Sequence, residues 1–146
     1  MSENIKTSVG AAFWIVGILL LLWNIFGCYL YIMDMTMSDA DYAKTYGDVM
    51  AELRPTTPIW VTAFYAIAVW SGLLASLLLL LRKKWAVPLY VLSMIGIVIS
   101  MSWGIVNADM RAAAGTMGIV MPIIVGGIGL FQIWWSRRQS ALGRLS

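Results

Sequence analysis

The sequence predicts an all-α membrane protein: a four-helix transmembrane bundle with one amphipathic helix lying outside the membrane. Four long apolar stretches fill most of the 146 residues, and 61% of the residues are hydrophobic. Soluble domains usually contain about 45–50% apolar residues. The mean hydropathy of the chain is +0.83. Because the apolar runs are continuous rather than alternating, helices are favoured over a membrane barrel.

Each apolar stretch is long enough to cross a bilayer core of about 30 Å, which takes about 20 helical residues. The predicted spans cover about 9–33, 58–81, 85–106 and 113–135. Since the connections are short, we expect residues 1–146 to form a single transmembrane domain. The first stretch is longer than the apolar part of a usual signal peptide and lacks a basic segment before it, so we expect it to be a span.

The loop between the first two spans predicts a surface helix over about residues 39–53. Ser38 stands where an N-cap belongs, and acidic residues occupy the first turn after it. The apolar side chains then recur at helical spacing: Tyr42, Tyr46, Val49, Met50 and Leu53. The segment is too short and too polar to span, so we expect it to lie along the membrane surface. It is either a structural lid over the bundle, or a gate or docking surface for a periplasmic partner.

Small residues form a smooth face on every predicted span. Helices in lipid associate through close packing at such faces, because burial from water no longer drives association. The expected packing positions are Gly17 in the first span, Gly72 and Ser76 in the second, Gly96, Ser100 and Gly104 in the third, and Gly118 and Gly126 in the fourth. This pattern predicts a tightly packed bundle.

Asn24 is the most central polar amide of the first span. The simpler interpretation is a hydrogen bond to another helix that contributes about 1 kcal/mol to stability. The alternative is a site for a neutral solute, formed by Asn24 with Tyr65 and Trp70. A hydrated pocket reaching Asn24 would favour the second interpretation, and a dry core would favour the first.

The composition argues against most enzyme classes. The chain has no histidine and one cysteine, Cys28, so His-ligated metals and an intrachain disulfide are excluded. We find no catalytic, cofactor-binding or metal-binding motif. No acidic or basic side chain falls in the middle of a span, and coupled transporters normally place one there. The basic residues cluster near the span ends, which is typical of membrane orientation and not of nucleic-acid binding.

The charges predict that both termini are cytoplasmic. With four spans, the termini and the turn between the second and third spans lie on one side. That side carries seven basic residues: Lys6, Arg82, Lys83, Lys84, Arg137, Arg138 and Arg144. The opposite side carries three: Lys44, Arg54 and Arg111. Short cytoplasmic loops collect basic residues, so the richer side is expected to face the cytoplasm.

Several short motifs resemble a family of uncharacterised small four-span bacterial membrane proteins, some of which carry the label "sugar transporter". The similarity rests on Trp23-Asn24-Ile25-Phe26-Gly27, Pro58-Ile59-Trp60, Tyr65-Ala66-Ile67-Ala68-Val69-Trp70-Ser71-Gly72 and Arg82-Lys83-Lys84. It covers mainly the first three spans. The resemblance implies the inner membrane of a bacterium.

Two functions follow as competing hypotheses. The first is a non-enzymatic integral membrane protein that serves as a structural, oligomeric or accessory subunit. Its partners would be the lipid bilayer and either a second copy or another membrane protein. The alternative is a passive facilitator of a small neutral solute such as a sugar. A membrane enzyme acting on quinone or lipid has the least support, because no nucleophile or metal ligand set is present.

Overall fold

The computed structural model describes residues 8–146, and within that range the protein is all-helical. Four of its helices are long and apolar enough to cross a membrane, so the predicted fold class is confirmed. The helices are α1 (Ala11–Thr36), α2 (Asp39–Tyr46), α3 (Asp48–Leu53), α4 (Ile59–Leu80), α5 (Ala86–Val106), α6 (Ala108–Ala114) and α7 (Met117–Ala141). A 3-10 turn, Arg54–Thr56, separates α3 from α4.

The second and third predicted spans agree with α4 and α5 to within one residue at each end. The fourth predicted span, 113–135, differs at both ends from the long helix that contains most of it, α7. The segment before it forms the separate helix α6, which Asn107 caps by accepting bonds from the amides of Asp109 and Met110. At its other end α7 continues through two arginines to Ala141. Hydropathy marks where a helix leaves lipid, and a helix can continue beyond that point.

The four long helices pack in sequence order. α1 packs against α4, α4 against α5, and α5 against α7. The α4–α5 contact is the most extensive of these, whereas α1 and α7 form no extensive contact in the described part of the chain. The bundle is therefore held together through α4 and α5, and a space is left where α1 and α7 face each other.

Gly96 sits at the closest approach between α4 and α5. A methyl group added there would lie 2.8 Å from the carbonyl oxygen of Phe64 and 2.9 Å from the amide nitrogen of Ala68. Both are backbone atoms, so they cannot move aside cheaply. Gly72 on α4 is equally confined, because an added methyl would overlap Oδ1 of Asn24.

The expectation that every small residue marks a close contact is wrong for part of the set. Within residues 8–146, an added methyl at Gly104 meets no heavy atom within 4 Å, and at Gly126 it only reaches Cε of Met94 at 4.0 Å. Ser100 bonds within its own helix, to the carbonyl of Ile97. Gly118 faces the neighbouring Ala114 of α6. Spacing along a helix shows which residues share a face but not whether a neighbour covers that face.

At one end of the bundle the C-terminal residues are docked against the α4–α5 turn. The Ser146 amide donates to the Arg82 carbonyl at 2.7 Å, and the Lys84 amide donates to the Ser146 carbonyl at 2.9 Å. Leu145 is buried in a core with Phe13, Leu79 and other residues of this end. We call it the basic end, since it holds Arg82–Lys84 and the arginines that follow residue 136.

The opposite end, which we call the acidic end, is covered by α2, α3 and α6. The single helix predicted over 39–53 is wrong in one respect, because it breaks at Gly47. That residue has a φ of 96°, a conformation that favours glycine. The predicted N-cap is present: Ser38 accepts a hydrogen bond from the Asp41 amide at 3.2 Å.

Arg54 ties this acidic end to α1. Its guanidinium donates to the Asp34 carbonyl at 2.6 Å, to the Met37 carbonyl at 3.1 Å and to the Asp39 carboxylate at 3.1 Å. It also lies 4.6 Å from the centre of the Tyr42 ring. Since Asp34 and Met37 belong to the C-terminal end of α1, the cation meets the negative end of a helix dipole.

Candidate functional site

A polar network joins three helices in the middle of the bundle. The side-chain amide of Asn24 on α1 donates to the Leu20 carbonyl at 2.8 Å and to Oγ of Ser76 on α4 at 2.9 Å. Oγ of Ser76 in turn bonds to the hydroxyl of Tyr90 on α5 at 2.8 Å. All three network side chains are buried. The cross-helix bond expected of Asn24 is therefore present, and it uses both amide hydrogens.

Next to this network lies a cavity of about 190 Å³. All four long helices line it, with Asn24 and Gly27 on α1, Tyr65 on α4, Ser93 on α5 and Gln132 on α7. The remaining walls are largely apolar. An engineered apolar cavity of about 150 Å³ accepts benzene, so this one has room for a small molecule.

Gln132 is the side chain that sequence reasoning missed. It is 3% exposed, and its Nε2 has no hydrogen-bond partner within the range 8–146. A buried donor without a partner costs about 1–3 kcal/mol. The sequence places Gln132 near the end of the fourth predicted span, and the structure buries it in the wall of the central cavity.

The structure brings together two of the three residues predicted to form a solute site. Asn24 and Tyr65 both line the cavity, and the Tyr65 ring packs edge-on against Tyr31 with centroids 5.2 Å apart. Trp70 does not take part. It is 47% exposed and absent from the cavity wall, because five residues after Tyr65 on a helix lie on a different face.

The hydroxyl groups near the cavity are mostly engaged by the backbone. Ser93 Oγ donates to the Ala68 carbonyl across the α4–α5 contact at 2.6 Å. Ser100 bonds within α5. A bound molecule would find two donors in the cavity wall, Nε2 of Gln132 and the hydroxyl of Tyr65. Such a site can hold a neutral hydrogen-bond acceptor against apolar walls.

The residues that line the cavity include no His, Cys, Asp, Glu, Lys or Arg. In the part of the chain that the structure describes, no group of three or more His, Cys, Asp and Glu side chains could hold a metal ion. The lone thiol, Cys28, is buried and donates to the Val69 carbonyl at 3.3 Å. Its hydrogen bond is a helix–helix contact.

Outside the bundle, the phenol of Tyr46 donates to the Asp34 carboxylate at 2.8 Å. Burial raises the pKa of Tyr46, and the hydrogen bond to Asp34 raises it further. The phenol therefore stays a protonated donor at neutral pH. Together with Arg54, it fixes the position of α2 over the end of α1.

No protein-family model matches this chain, and no curated protein or solved structure matches it significantly. The resemblance to small bacterial four-span proteins stays a prediction.

Proposed function

We propose that this protein is a non-enzymatic membrane protein that binds a small neutral solute inside its bundle and lets it cross passively. The observation that carries the proposal is the cavity of about 190 Å³ between all four long helices, with an unpartnered buried amide of Gln132 in its wall. An apolar pocket with a few convergent polar groups is the usual form of a small-molecule site. A small polyol matches it, because its oxygens accept hydrogen bonds and it carries no charge.

We further propose a bacterial inner membrane with both termini in the cytoplasm. One observation supports this orientation. The basic end holds Arg82, Lys83, Lys84, Arg137 and Arg138, and short cytoplasmic segments are enriched in such residues. The acidic end would then face the opposite compartment. A reporter that is active only in the periplasm, fused after Ser146, should be inactive, and activity there would overturn the orientation.

The solute proposal can be tested with glycerol flux in proteoliposomes. Wild-type protein should accelerate the downhill, saturable entry of glycerol, measured by stopped-flow light scattering. Val125 lines the cavity, so Val125→Phe should fill it and abolish the acceleration. The control is Ile124→Phe on the same helix, since Ile124 is 44% exposed and outside the cavity wall. Equal flux in both variants would refute a pathway through this cavity.

The structural-subunit function remains the second candidate, and one observation favours it. Asn24 donates both amide hydrogens, one to the Leu20 carbonyl and one to Oγ of Ser76. This is expected of a side chain whose only role is to hold two helices together. If wild-type protein gives no flux while it elutes as a defined oligomer in mild detergent, the structural function would be preferred over the facilitator.

A further inference from the structure

Five methionines line a second cavity at the acidic end. It measures about 250 Å³ and is lined by residues of α3, α4, α5, α6 and α7. Its wall includes Met50, Met101, Met110, Met117 and Met121. The chain has ten methionines in all, so half of them converge on one cavity from four different helices.

We propose that this cavity binds a soft monovalent metal cation, Cu(I) or Ag(I), through methionine thioethers. Thioether sulfur is an uncharged, soft ligand, and such ligands select Cu(I) over harder cations. No acidic or basic side chain is among the residues that line the cavity. Calcium and magnesium require several oxygen ligands, preferably carboxylates, so this ligand set discriminates against them.

An indole group adds to the same wall. Trp103 lines the cavity, and its ring is held by an edge-to-face contact with Trp60, with centroids 5.9 Å apart and planes at 86°. The face of an indole attracts cations more strongly than other aromatic rings do. A desolvated metal ion would therefore gain a second type of favourable contact beside the sulfur atoms.

The surroundings of the cavity attract cations. The acidic end carries six carboxylates against three basic side chains. Two of the carboxylates, Glu52 on α3 and Asp109 on α6, line an adjoining groove between the helices that also border the methionine cavity. A concentration of one sign of charge raises the local concentration of the opposite ion. The carboxylates therefore raise the local concentration of cations near the uncharged sulfur ligands.

Methionine also serves as an adaptable filler of irregular apolar spaces, and the two roles can be separated. Leucine has a similar volume and is tolerated well in place of methionine, but it has no sulfur. A methionine-to-leucine substitution therefore keeps the packing and removes only the ligand. The triple change Met50→Leu, Met110→Leu and Met117→Leu leaves the Gln132 cavity untouched, since none of these three residues lines it.

The chain offers a matched control of the same chemistry. Met33, Met35 and Met37 lie at the end of α1 and outside the methionine cavity. All proteins in the test, the reference protein included, carry Cys28→Ala, which removes the lone thiol. The full-length proteins in detergent are titrated calorimetrically with silver nitrate in chloride-free buffer. We expect the reference protein to bind about one Ag(I) per chain.

The triple change in the cavity should weaken Ag(I) binding by more than about tenfold. The corresponding triple change at the end of α1 should leave the affinity of the reference protein unchanged. Equal affinities in the reference protein and the cavity variant would overturn the proposal, as would a loss confined to the control variant. X-ray absorption of the silver-loaded reference protein gives a readout that needs no variant to fold. Sulfur neighbours are expected, and a shell of oxygen and nitrogen alone would refute the site.

Discussion

Asn24 and Gln132 both place a side-chain amide beside the central cavity, and the two amides have opposite effects on stability. Asn24 satisfies both donors on α1 and α4, so its amide stabilises the bundle. Gln132 is buried with an Nε2 that lacks a partner in the described range, so its amide destabilises the empty protein. A side chain that lowers stability is expected where function requires it.

The contrast predicts opposite effects for one kind of substitution. Asn24→Leu breaks the hydrogen bond to Ser76 and should lower the free energy of unfolding by about 1 kcal/mol. Gln132→Leu removes an unpartnered buried donor and should raise the free energy of unfolding by about 1 kcal/mol. Denaturant titration of both variants in the same detergent measures these changes. If Gln132→Leu is as destabilising as Asn24→Leu, the glutamine has a structural partner and the solute site loses its main support.

At the scale of elements, the tight α4–α5 contact holds the bundle together. Its geometry depends on Gly96, where a side chain would meet backbone atoms of Phe64 and Ala68. On the same helix, Gly104 lines the methionine cavity and has open space in front of it. The two glycines lie on the same face of α5. They differ in whether a neighbouring helix covers them: α4 covers Gly96, and open space lies in front of Gly104.

This difference predicts that leucine is tolerated at one glycine and not at the other. Gly96→Leu should push α4 and α5 apart and cost at least about 1–3 kcal/mol, the usual range for overpacking. Gly104→Leu should change stability little, because the added side chain enters a cavity. Thermal unfolding of the two variants in detergent compares them directly. Similar losses at both positions would mean that the α4–α5 contact extends further than the structure shows.

A second element-scale prediction concerns the clamp at the acidic end. Arg54 reaches two carbonyls and one carboxylate with a planar fork of donors, and a lysine cannot reproduce that fork. Arg54→Lys should therefore speed amide hydrogen exchange in α2 while exchange in α4 and α5 stays unchanged. The control is Lys44→Met, since the exposed Lys44–Asp41 pair at 3.7 Å should contribute little. Faster exchange throughout the bundle in Arg54→Lys would contradict a local role for the clamp.

The elements set by local chemistry could be predicted from the sequence, and those set by tertiary contact could not. Apolar length predicts the four spans, and Ser38 predicts the start of α2 because an N-cap is a local interaction. Neither the docking of Leu145 under the α4–α5 turn nor the burial of Gln132 has a local signal. Both depend on where α7 lies relative to α1 and α5. Gly47 did carry a signal, since glycine in a helical pattern marks a candidate break.

On the scale of the whole molecule, charge and cavities are separated along the bundle axis. Arginines and lysines gather at the basic end, carboxylates gather at the acidic end, and the space between holds only neutral polar groups such as Asn24, Ser93 and Gln132. A charged group inside a membrane requires an opposite charge or water beside it. Because the middle of the bundle holds only neutral polar groups, it suits an uncharged molecule. The same separation places the methionine cavity next to the carboxylates.

The absence of acidic and basic side chains from the middle of the spans predicts that any transport by this protein is not driven by protons. Coupling requires a group that gains and loses a proton along the pathway. The nearest carboxylates, Asp34 and Asp109, lie at the acidic end, and Asp34 is held by Tyr46. In proteoliposomes with an imposed pH gradient, glycerol should equilibrate and never exceed its outside concentration, and the initial rate should match that of vesicles without a gradient. Gradient-driven accumulation that disappears in Asp34→Asn would contradict a passive mechanism and move the functional centre to the acidic end.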